Sequence, residues 1–432
     1  MQYIPNIIFL VALIIGFGYF IKNSKKIIRN IQLGHKVDAS DHKKERWNNV
    51  IRIALGQSKM VVKPVAGLLH IIVYAGFIII NIEVLEIIID GLFGTHRAFS
   101  FLGGLYAFLI GSFEILAVMV LITVCIFWIR RMVIRIPRFW NKEMTKWPKN
   151  DALYILYFEM VLMSLFLIMN ATDFHFQEMN SGNIISQFLA PLFSSFDEGT
   201  LHLLERTAWW LHIVGILVFL NYLYFSKHLH ILLAFPNVYY GSVTPKGQFK
   251  NLESVTKEVK LMMDPNVDPF ATPPEGAKEP GKFGASDVMD LNRTQLLNAY
   301  TCTECGRCTS ECPANQTGKK LSPRGIMMAT RDRLEEVGRN IDKNGEFKPD
   351  GKQLLGDYIS NEELWACTTC NACTEACPVS IDPLSIIMDM RQYLVMEQSA
   401  APNELNISLT NIENNGAPWP YNQMDRLNWK DD

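Results

Sequence analysis

Five long apolar stretches in the first 235 residues constrain the fold of this 432-residue chain more than any other feature. Each is long enough to cross a bilayer, which takes about 20 helical residues. Because a segment inside lipid must satisfy its backbone hydrogen bonds internally, each stretch is predicted to be one transmembrane helix. The stretches run approximately from Ile4 to Ile21, Pro64 to Ile89, Leu102 to Ile129, Ala152 to Asn170 and Thr207 to Phe225. We therefore expect residues 1–235 to form a five-helix bundle.

The loop charges predict the orientation of this bundle, because lysine and arginine concentrate in cytoplasmic loops. The opposite loops contribute only Arg97 and Arg206. The loops after the first and third stretches are basic at Lys22, Lys25, Lys26, Arg29, Lys36, Lys43, Lys44, Arg46, Arg52, Lys59, Lys63, Arg130, Arg131, Arg135, Arg138, Lys142, Lys146 and Lys149. We expect a multi-pass protein of the cytoplasmic membrane with its N-terminus outside. Since Met1, Gln2 and Tyr3 have no positive side chain, the first stretch is expected to be a retained anchor.

Eight of the nine cysteines form two copies of one pattern, C-x2-C-x2-C-x3-C-P. The copies are Cys302, Cys305, Cys308 and Cys312 before Pro313, and Cys367, Cys370, Cys373 and Cys377 before Pro378. In ferredoxins this run binds two 4Fe-4S clusters, and the fourth cysteine of each copy ligates the other cluster. Cluster 1 is therefore predicted on Cys302, Cys305, Cys308 and Cys377, and cluster 2 on Cys367, Cys370, Cys373 and Cys312.

Disulfides and zinc are the alternative interpretations of the doubled pattern. Disulfides belong to oxidising compartments and to small scaffolds without a core. Zinc sites use paired C-x2-C knuckles and do not require a third and fourth cysteine with a trailing proline. Clusters on thiolates agree better with the cytoplasmic side that the loop charges predict. The ninth cysteine, Cys125, lies alone in an apolar stretch and is interpreted as an inert buried thiol.

The polar half of the chain divides into three segments. Residues 236–286 are rich in proline and glycine, which predicts a linker on the cytoplasmic membrane surface with one amphipathic turn near Val255 to Met263. Helical patterns begin at Asp287 and at Ser322 and surround the cysteine runs, so residues 287–398 are predicted to be an α-helical ferredoxin domain. Residues 399–432 contain isolated tryptophans in a polar setting and are predicted to be a tail that wraps a soluble partner.

Histidines at membrane depth are candidate ligands for a further cofactor, because polar groups in lipid are costly and usually functional. His212 and His230 are 18 residues apart, five helical turns, and are expected on one face of the last helix. His70 lies about 10 Å inside the cytoplasmic boundary of the second helix. Two facing imidazoles at one depth form a bis-histidine haem b site, and His70 with His230 is the predicted pair. His228 is expected to face elsewhere; it is the alternative ligand to His230, and both could instead be interfacial.

These features resemble two known families. With five spans, paired histidines on the last helix and one histidine early in the second helix, the chain resembles the membrane cytochrome b subunit of respiratory nitrate reductase. The strings Phe225-Ser-Lys-His228-Leu-His230-Ile and Tyr300-Thr-Cys302-Thr-Glu-Cys305-Gly-Arg-Cys308 are similar to the fused membrane iron–sulfur proteins of the heterodisulfide-reductase-related group. The resemblance covers essentially the whole chain. It implies an all-α fold, a five-helix transmembrane cytochrome b bundle followed by a cytoplasmic α-helical ferredoxin domain.

The resemblance also implies haem ligands. The nitrate reductase subunit stacks two haems across the membrane; His70 and His230 match the ligands of its cytoplasmic-side haem, and His212 matches one ligand of its outer-side haem. The remaining ligand should lie ten residues after His70, where this chain has Ile80. One haem b is therefore expected. A second haem would need a partner for His212 from the outer loops, where the candidates are His96, His175 and His202.

His212 could instead line a quinone pocket. Glu83 and Glu86, towards the outer end of the second helix, are the proton-handling candidates for the same pocket. The alternative interpretation of these two acids is a pair of helix-end carboxylates among the lipid headgroups.

These predictions together describe an electron-transfer subunit between the quinone pool and a cytoplasmic redox partner, with the direction of flow open. The alternatives are a haem-free membrane anchor for a ferredoxin module and a redox sensor of the quinone state. Related heterodisulfide reductase subunits have further cysteine-rich repeats, whereas no cysteine follows Cys377 here. We therefore expect a separate partner with cysteine-rich heterodisulfide-reductase-like or flavin chemistry. A nucleic-acid partner is not expected, since the formal net charge is −2 and topology explains the basic loops.

Overall fold

The protein is 72% helical, and the residues described below contain no β-strand, which confirms the predicted all-α class. The computed structural model describes residues 3–179, 182–249, 251, 253–266 and 282–431. Within these ranges, five helices are long and apolar enough to cross a membrane. They are α1 (Ile4–Gln32), α2 (Pro64–Phe93), α3 (Gly104–Met132), α4 (Trp147–Thr172) and α5 (Glu198–Tyr222).

The five helices form a closed ring. Each packs on the next in chain order, and α5 returns to pack on α1. Prolines at the first or second position begin α1, α2 and α4, where a missing backbone N–H costs nothing. Asp197 caps α5 by accepting a hydrogen bond from the Thr200 backbone N–H at 3.2 Å. Apolar side chains fill the interior of the ring, among them Phe113 and Phe166.

The first helix extends beyond the stretch predicted for it and continues to Gln32. This extension is polar, and it packs on the C-terminal half of the protein. The Asn30 side chain donates to the Tyr300 hydroxyl at 2.9 Å, and Lys26 pairs with Asp342 at 2.7 Å. The end of α1 is therefore a bracket for the cysteine-containing domain, which only the tertiary contacts could show.

The last span does not continue as one helix to His230, so the predicted alignment of His212 and His230 on a single helix face is wrong. Helix α5 ends at Tyr222, and Ser226 has extended backbone angles (φ −111°, ψ 148°). The break is stabilised because Ser226 accepts from the His228 N–H at 3.1 Å and Asp151 accepts from the Lys227 N–H at 3.2 Å. A new helix, α6, then runs over His230–Tyr240.

Helix α6 also corrects the predicted domain boundary at residue 235. It contains Pro236 and continues to Tyr240, so the predicted linker begins later than residue 236. The amphipathic turn expected near Val255 to Met263 is a helix over Glu253–Met263. The central part of the linker, residues 267–281, lies outside the described residues.

Three longer helices frame the cysteine runs: α7 (Arg293–Thr301), α8 (Pro323–Asn344) and α9 (Pro383–Met396). Helix α7 packs against α1, α6 and α8, which joins the two halves of the protein. Helix α8 begins at Pro323, where the sequence predicts a start, with Ser322 accepting from the Gly325 N–H at 3.1 Å. The helical pattern expected through residue 366 is interrupted, because α8 ends at Gly345 in the left-handed conformation.

Arg333 of α8 is expected to be a major stabilising residue of this domain. Its side chain is fully buried and pairs with Asp287 at 2.8 Å and Asp350 at 2.6 Å. Replacing Arg333 with alanine should lower the free energy of unfolding by about 3 kcal/mol, because two carboxylates lose their cation. Urea denaturation followed by the loss of cluster absorbance measures this. The exposed Arg339→Ala is the control and should change stability by less than about 0.5 kcal/mol; equal effects would contradict the assignment.

Candidate metal centres

Both cysteine runs follow the same backbone path. Cys302 ends α7, and Cys367 ends a short helix over Asn361–Ala366. The residues two and four positions after these cysteines have positive φ angles: Glu304 and Gly306 in the first run, Thr369 and Asn371 in the second. The third cysteine of each run lies in a short helix, and these two short helices pack together. The two runs are therefore structural repeats that face each other.

Glycine is required at position 306 of this path. Its φ of +72° is strained for other residues, and a Cβ there would lie 2.5 Å from Nη1 of Arg324. The loop can therefore approach the buried guanidinium closely while it turns three thiols towards one point.

The thiols assemble in the two sets that the crossed pattern predicts. Cys302, Cys305, Cys308 and Cys377 line one cavity, together with Arg324 and Met327. On the other side, Cys312, Cys370 and Cys373 interact electrostatically with Cys367. Cys373 also lines the first cavity, so the two sets are adjacent. Ligation by these sets stays a prediction, and the positions of the side chains agree with it.

The chemistry of the thiols fits metal clusters. Burial raises the pKa of Cys302 to about 12, of Cys373 to about 12 and of Cys377 to about 11. Without a metal these groups are neutral, whereas coordinated iron deprotonates a thiol outright. Backbone N–H groups already donate to sulfur, from Ile381 to Cys377 at 3.2 Å. Such hydrogen bonds stabilise thiolate ligands and tune cluster potentials.

The two basic loops of the bundle hold the first cysteine run. Arg307 donates to the carbonyl of Lys59 at 3.2 Å, and Arg324 donates to the carbonyl of Arg138 at 2.7 Å. Arg324 also pairs with Glu143 at 2.8 Å. Some of the charge that the sequence assigns to membrane topology therefore serves domain docking as well. The cysteine runs lie directly against one end of the helix ring.

Three imidazoles lie together at this end of the ring. The rings of His228 and His230 are 5.4 Å apart between centroids, and His70 interacts electrostatically with both. The expectation that His228 faces away is wrong, because the break at Ser226 replaces the regular helical rotation on which it depended. The structure thus brings His70 and His230 together as predicted and adds His228.

The donor atoms of this cluster fit a haem. The Nδ1 of His230 donates to the Lys227 carbonyl at 3.1 Å and leaves Nε2 available. Metal-binding histidines usually anchor the other nitrogen in this way. The Nδ1 atoms of His70 and His228 are buried and have no hydrogen-bond partner within the described residues. Unpartnered buried nitrogen atoms are costly, which favours a further group at this position.

His212 lies deeper in the ring and is buried. Its Nδ1 donates to the Leu162 carbonyl at 3.0 Å, and its ring lies beside Phe166. Ile80, the residue at the position of the missing ligand, is also buried. Of the loop candidates, His96 pairs with Asp173 at 3.2 Å, its ring lies 6.4 Å from that of His175, and His202 is exposed. Among the described residues, no second histidine is recorded beside His212.

Glu83 and Glu86 belong to a buried polar network and are not among headgroups. Glu86 accepts from the Phe99 N–H at 2.8 Å and from the Tyr106 hydroxyl at 3.2 Å, while Oε2 of Glu83 is buried without a partner in the described residues. The sequence reasoning missed the other members, which are Arg97, Tyr106, Glu114, Asn170 and Asp173. Glu114 was the available signal, as a carboxylate in an apolar stretch.

Comparison with known proteins supports the iron–sulfur part of this interpretation. Residues 301–381 match the 4Fe-4S dicluster domain family. The probable iron-sulfur-binding oxidoreductase FadF of Bacillus subtilis is 29% identical over 99% of this chain and 61% of its own length. The EtfAB:quinone oxidoreductase of Syntrophomonas wolfei is 24% identical over 88% of this chain and 53% of its own length. The chain thus spans little more than half of these relatives. No solved structure matches it.

A third relative matches the cysteine-containing region. It is the C-type polypeptide of the ferredoxin/F(420)H(2)-dependent CoB-CoM heterodisulfide reductase of Methanosarcina acetivorans, 29% identical over 29% of this chain and 63% of its own length. The predicted relation to heterodisulfide reductase subunits is therefore confirmed. The chain is a membrane-associated iron–sulfur electron-transfer protein with a 4Fe-4S dicluster domain, related to heterodisulfide reductase subunits.

Proposed function

We propose that this protein transfers electrons between quinone in the membrane and a cytoplasmic redox partner, through one haem b and two 4Fe-4S clusters. The observation that supports the proposal most directly is the contact between the two groups of candidate ligands. Arg307 lies between Cys305 and Cys308 in the sequence and is an electrostatic neighbour of His70. Haem and cluster 1 would therefore be neighbouring stations on one route.

In this proposal each group of residues has a separate task. His70 and His230 hold the haem, and the two crossed sets of cysteines hold the clusters. When bound, these cofactors supply one-electron carriers, while the protein supplies ligands, distance and dielectric. At the other end of the ring, Glu83, Glu86 and His212 are the candidates for exchanging protons with quinone. Glu83 fits this role because one of its carboxylate oxygens is buried and accepts no hydrogen bond from the described residues.

The domain plan and orientation form part of the proposal. The helix ring lies in the cytoplasmic membrane with the N-terminus outside, and the ferredoxin domain lies in the cytoplasm, as the loop charges predict. An alkaline phosphatase fusion after Phe196 should then be active outside the membrane, and one after Trp140 inactive. Two relatives are named as a quinone oxidoreductase and as part of a heterodisulfide reductase. We accordingly propose a partner with flavin or heterodisulfide-reductase-like chemistry.

A reduced-minus-oxidised spectrum of the purified protein tests the function. We expect a sharp α-band of b-type haem, together with about eight non-haem irons per chain. Adding a quinol analogue and the partner should give catalytic turnover. An iron–sulfur protein without an α-band would instead be a haem-free anchor for its ferredoxin domain, and electron exchange that stops after one equivalent would indicate a redox sensor.

The C-terminal segment is the proposed contact for the partner. Its helix over Asn403–Asn415 and the turn over Gln423–Lys430 contain no buried residue, and Trp429 is 73% exposed. Deleting residues 400–432 should therefore remove the partner in a pull-down and leave the cluster absorbance intact. Deleting only residues 417–432, which include both tail tryptophans, should weaken the interaction less. Unchanged co-purification after the longer deletion would contradict the proposed role.

A further inference from the structure

A single lysine connects the histidine cluster to the first cysteine run. The backbone carbonyl of Lys227 accepts the hydrogen bond from Nδ1 of His230 at 3.1 Å. The ammonium group of the same residue pairs with the carboxylate of Glu304 and donates to the Pro148 carbonyl at 2.6 Å. Lys227 is buried, with 8% of its surface exposed. One residue thus contacts both groups of candidate ligands.

Glu304 occupies the corresponding position in the cysteine run. It lies between Cys302 and Cys305, has a positive φ angle of 53° and is 3% exposed. Its second carboxylate oxygen accepts from Nη2 of Arg331 at 2.6 Å. Two cations from different parts of the protein therefore hold one buried carboxylate inside the metal-binding loop. Lys227 comes from the break after α5, and Arg331 comes from α8.

Stability alone does not account for this arrangement. Removing charged groups from water is costly, and well-packed apolar residues often replace a buried ion pair without loss of stability. The best-attested use of such a pair is to set the register of two elements. Here the elements are the haem-ligand segment and the cluster loop, whose separation governs how fast an electron passes between them.

We propose that Lys227 is a positioning residue that sets the register between the His230 imidazole and the loop of cluster 1. The inference rests on the proposed haem ligation and adds to it a residue that binds neither cofactor. Its ion pair also affects the cluster through charge, because reduction adds a negative charge and nearby cations favour the reduced form. Removing Lys227 leaves the Glu304 carboxylate with Arg331 as its remaining close cation, which should lower the potential of cluster 1.

Arg331 offers a matched control, since it contacts the same carboxylate but not the histidine segment. Arg331→Met and Lys227→Met each remove one cation from Glu304. Both should lower the midpoint potential of cluster 1. Only Lys227→Met should also disturb the haem, because only Lys227 fixes the carbonyl that His230 uses.

The experiment uses the full chain with its native cofactors. Redox titration followed by electron paramagnetic resonance gives the cluster 1 potential and the low-spin haem signal, and rapid mixing gives the haem-to-cluster rate. For Lys227→Met we expect a retained α-band, a shifted haem signal and a rate reduced about 10- to 100-fold, as for other residues that support metal ligands. For Arg331→Met we expect a lowered potential with the haem signal and the rate unchanged.

The proposal would be overturned if Lys227→Met kept the wild-type haem signal and rate, or if Arg331→Met reproduced every effect of Lys227→Met. Should Lys227→Met fail to accumulate, Lys227→Arg decides: it keeps the charge but not the shape, so the potential should be retained and the rate reduced. A wild-type protein without an α-band would refute the proposed function instead. The comparison of cluster 1 potentials would still test the ion pair in that case.

Discussion

The Cys377→Ala variant is expected to lose cluster 1, although Cys377 belongs to the second cysteine run. The reason is the crossed arrangement: the Cys377 thiol shares a cavity with Cys302, Cys305 and Cys308. Non-haem iron should fall from about eight to about four per chain, and one of two cluster signals should disappear. Iron and sulfide analysis with electron paramagnetic resonance measures both quantities. Electron transfer to the partner should stop, because the route from the haem is interrupted.

Three controls sharpen this prediction. Cys312→Ala should remove the other cluster, because its thiol interacts with Cys367 in the second set. Cys373→Ala should behave like Cys312→Ala, although it lies only four residues from Cys377. Cys125→Ala should leave all eight irons in place. Identical losses of signal in Cys377→Ala and Cys373→Ala would show that each run binds its own cluster, which would refute the crossed pattern.

The second large effect is expected for His70→Ala, which should abolish the haem. A bis-histidine haem loses an axial ligand in this variant, so the α-band should disappear and haem content should fall from about one per chain to near zero. Reduction of the clusters by a quinol analogue should slow by about 100-fold or more. Reduction by dithionite should not change, since that reductant reaches the clusters from water. Pyridine haemochrome analysis and stopped-flow absorbance measure the two effects.

His228→Ala is the matched control for this experiment. The imidazole of His228 lies in the same cluster, but His230 is the residue whose Nδ1 is anchored to a carbonyl. The control should therefore retain the α-band, whereas His230→Ala should lose it. Retention of haem in His230→Ala together with its loss in His228→Ala would reassign the axial ligand to His228.

The features that follow from local pattern were predictable. Hydropathy placed all five spans, since a bilayer demands long apolar helices whatever they pack against. The cysteine spacing predicted the dicluster domain, which the family match to residues 301–381 confirms. The first span was predicted too short, because the polar end of α1 is stabilised by contacts with a distant domain, such as Asn30 with Tyr300.

The histidine cluster shows where local pattern fails. Helical periodicity placed His228 away from His230, and this geometry required a continuous helix. The helix ends because Asp151 of α4 accepts from the Lys227 backbone, a contact between residues 76 positions apart. Nothing in the spacing of the last span indicates it. The network around Glu86 and Arg97 was missed for the same reason, because its members come from different helices and their connecting loops.

The sequence by itself determined the all-α class, the five apolar helices and the two cysteine runs, because hydrophobic length and ligand spacing act within short segments. Tertiary structure alone decided which thiols face one another, how the three imidazoles meet, and that Lys227 joins them to Glu304. These arrangements depend on contacts between segments far apart in the chain. Buried charges such as Lys227 and Glu304 are retained only where each finds its partner, and that pairing exists only in the folded protein.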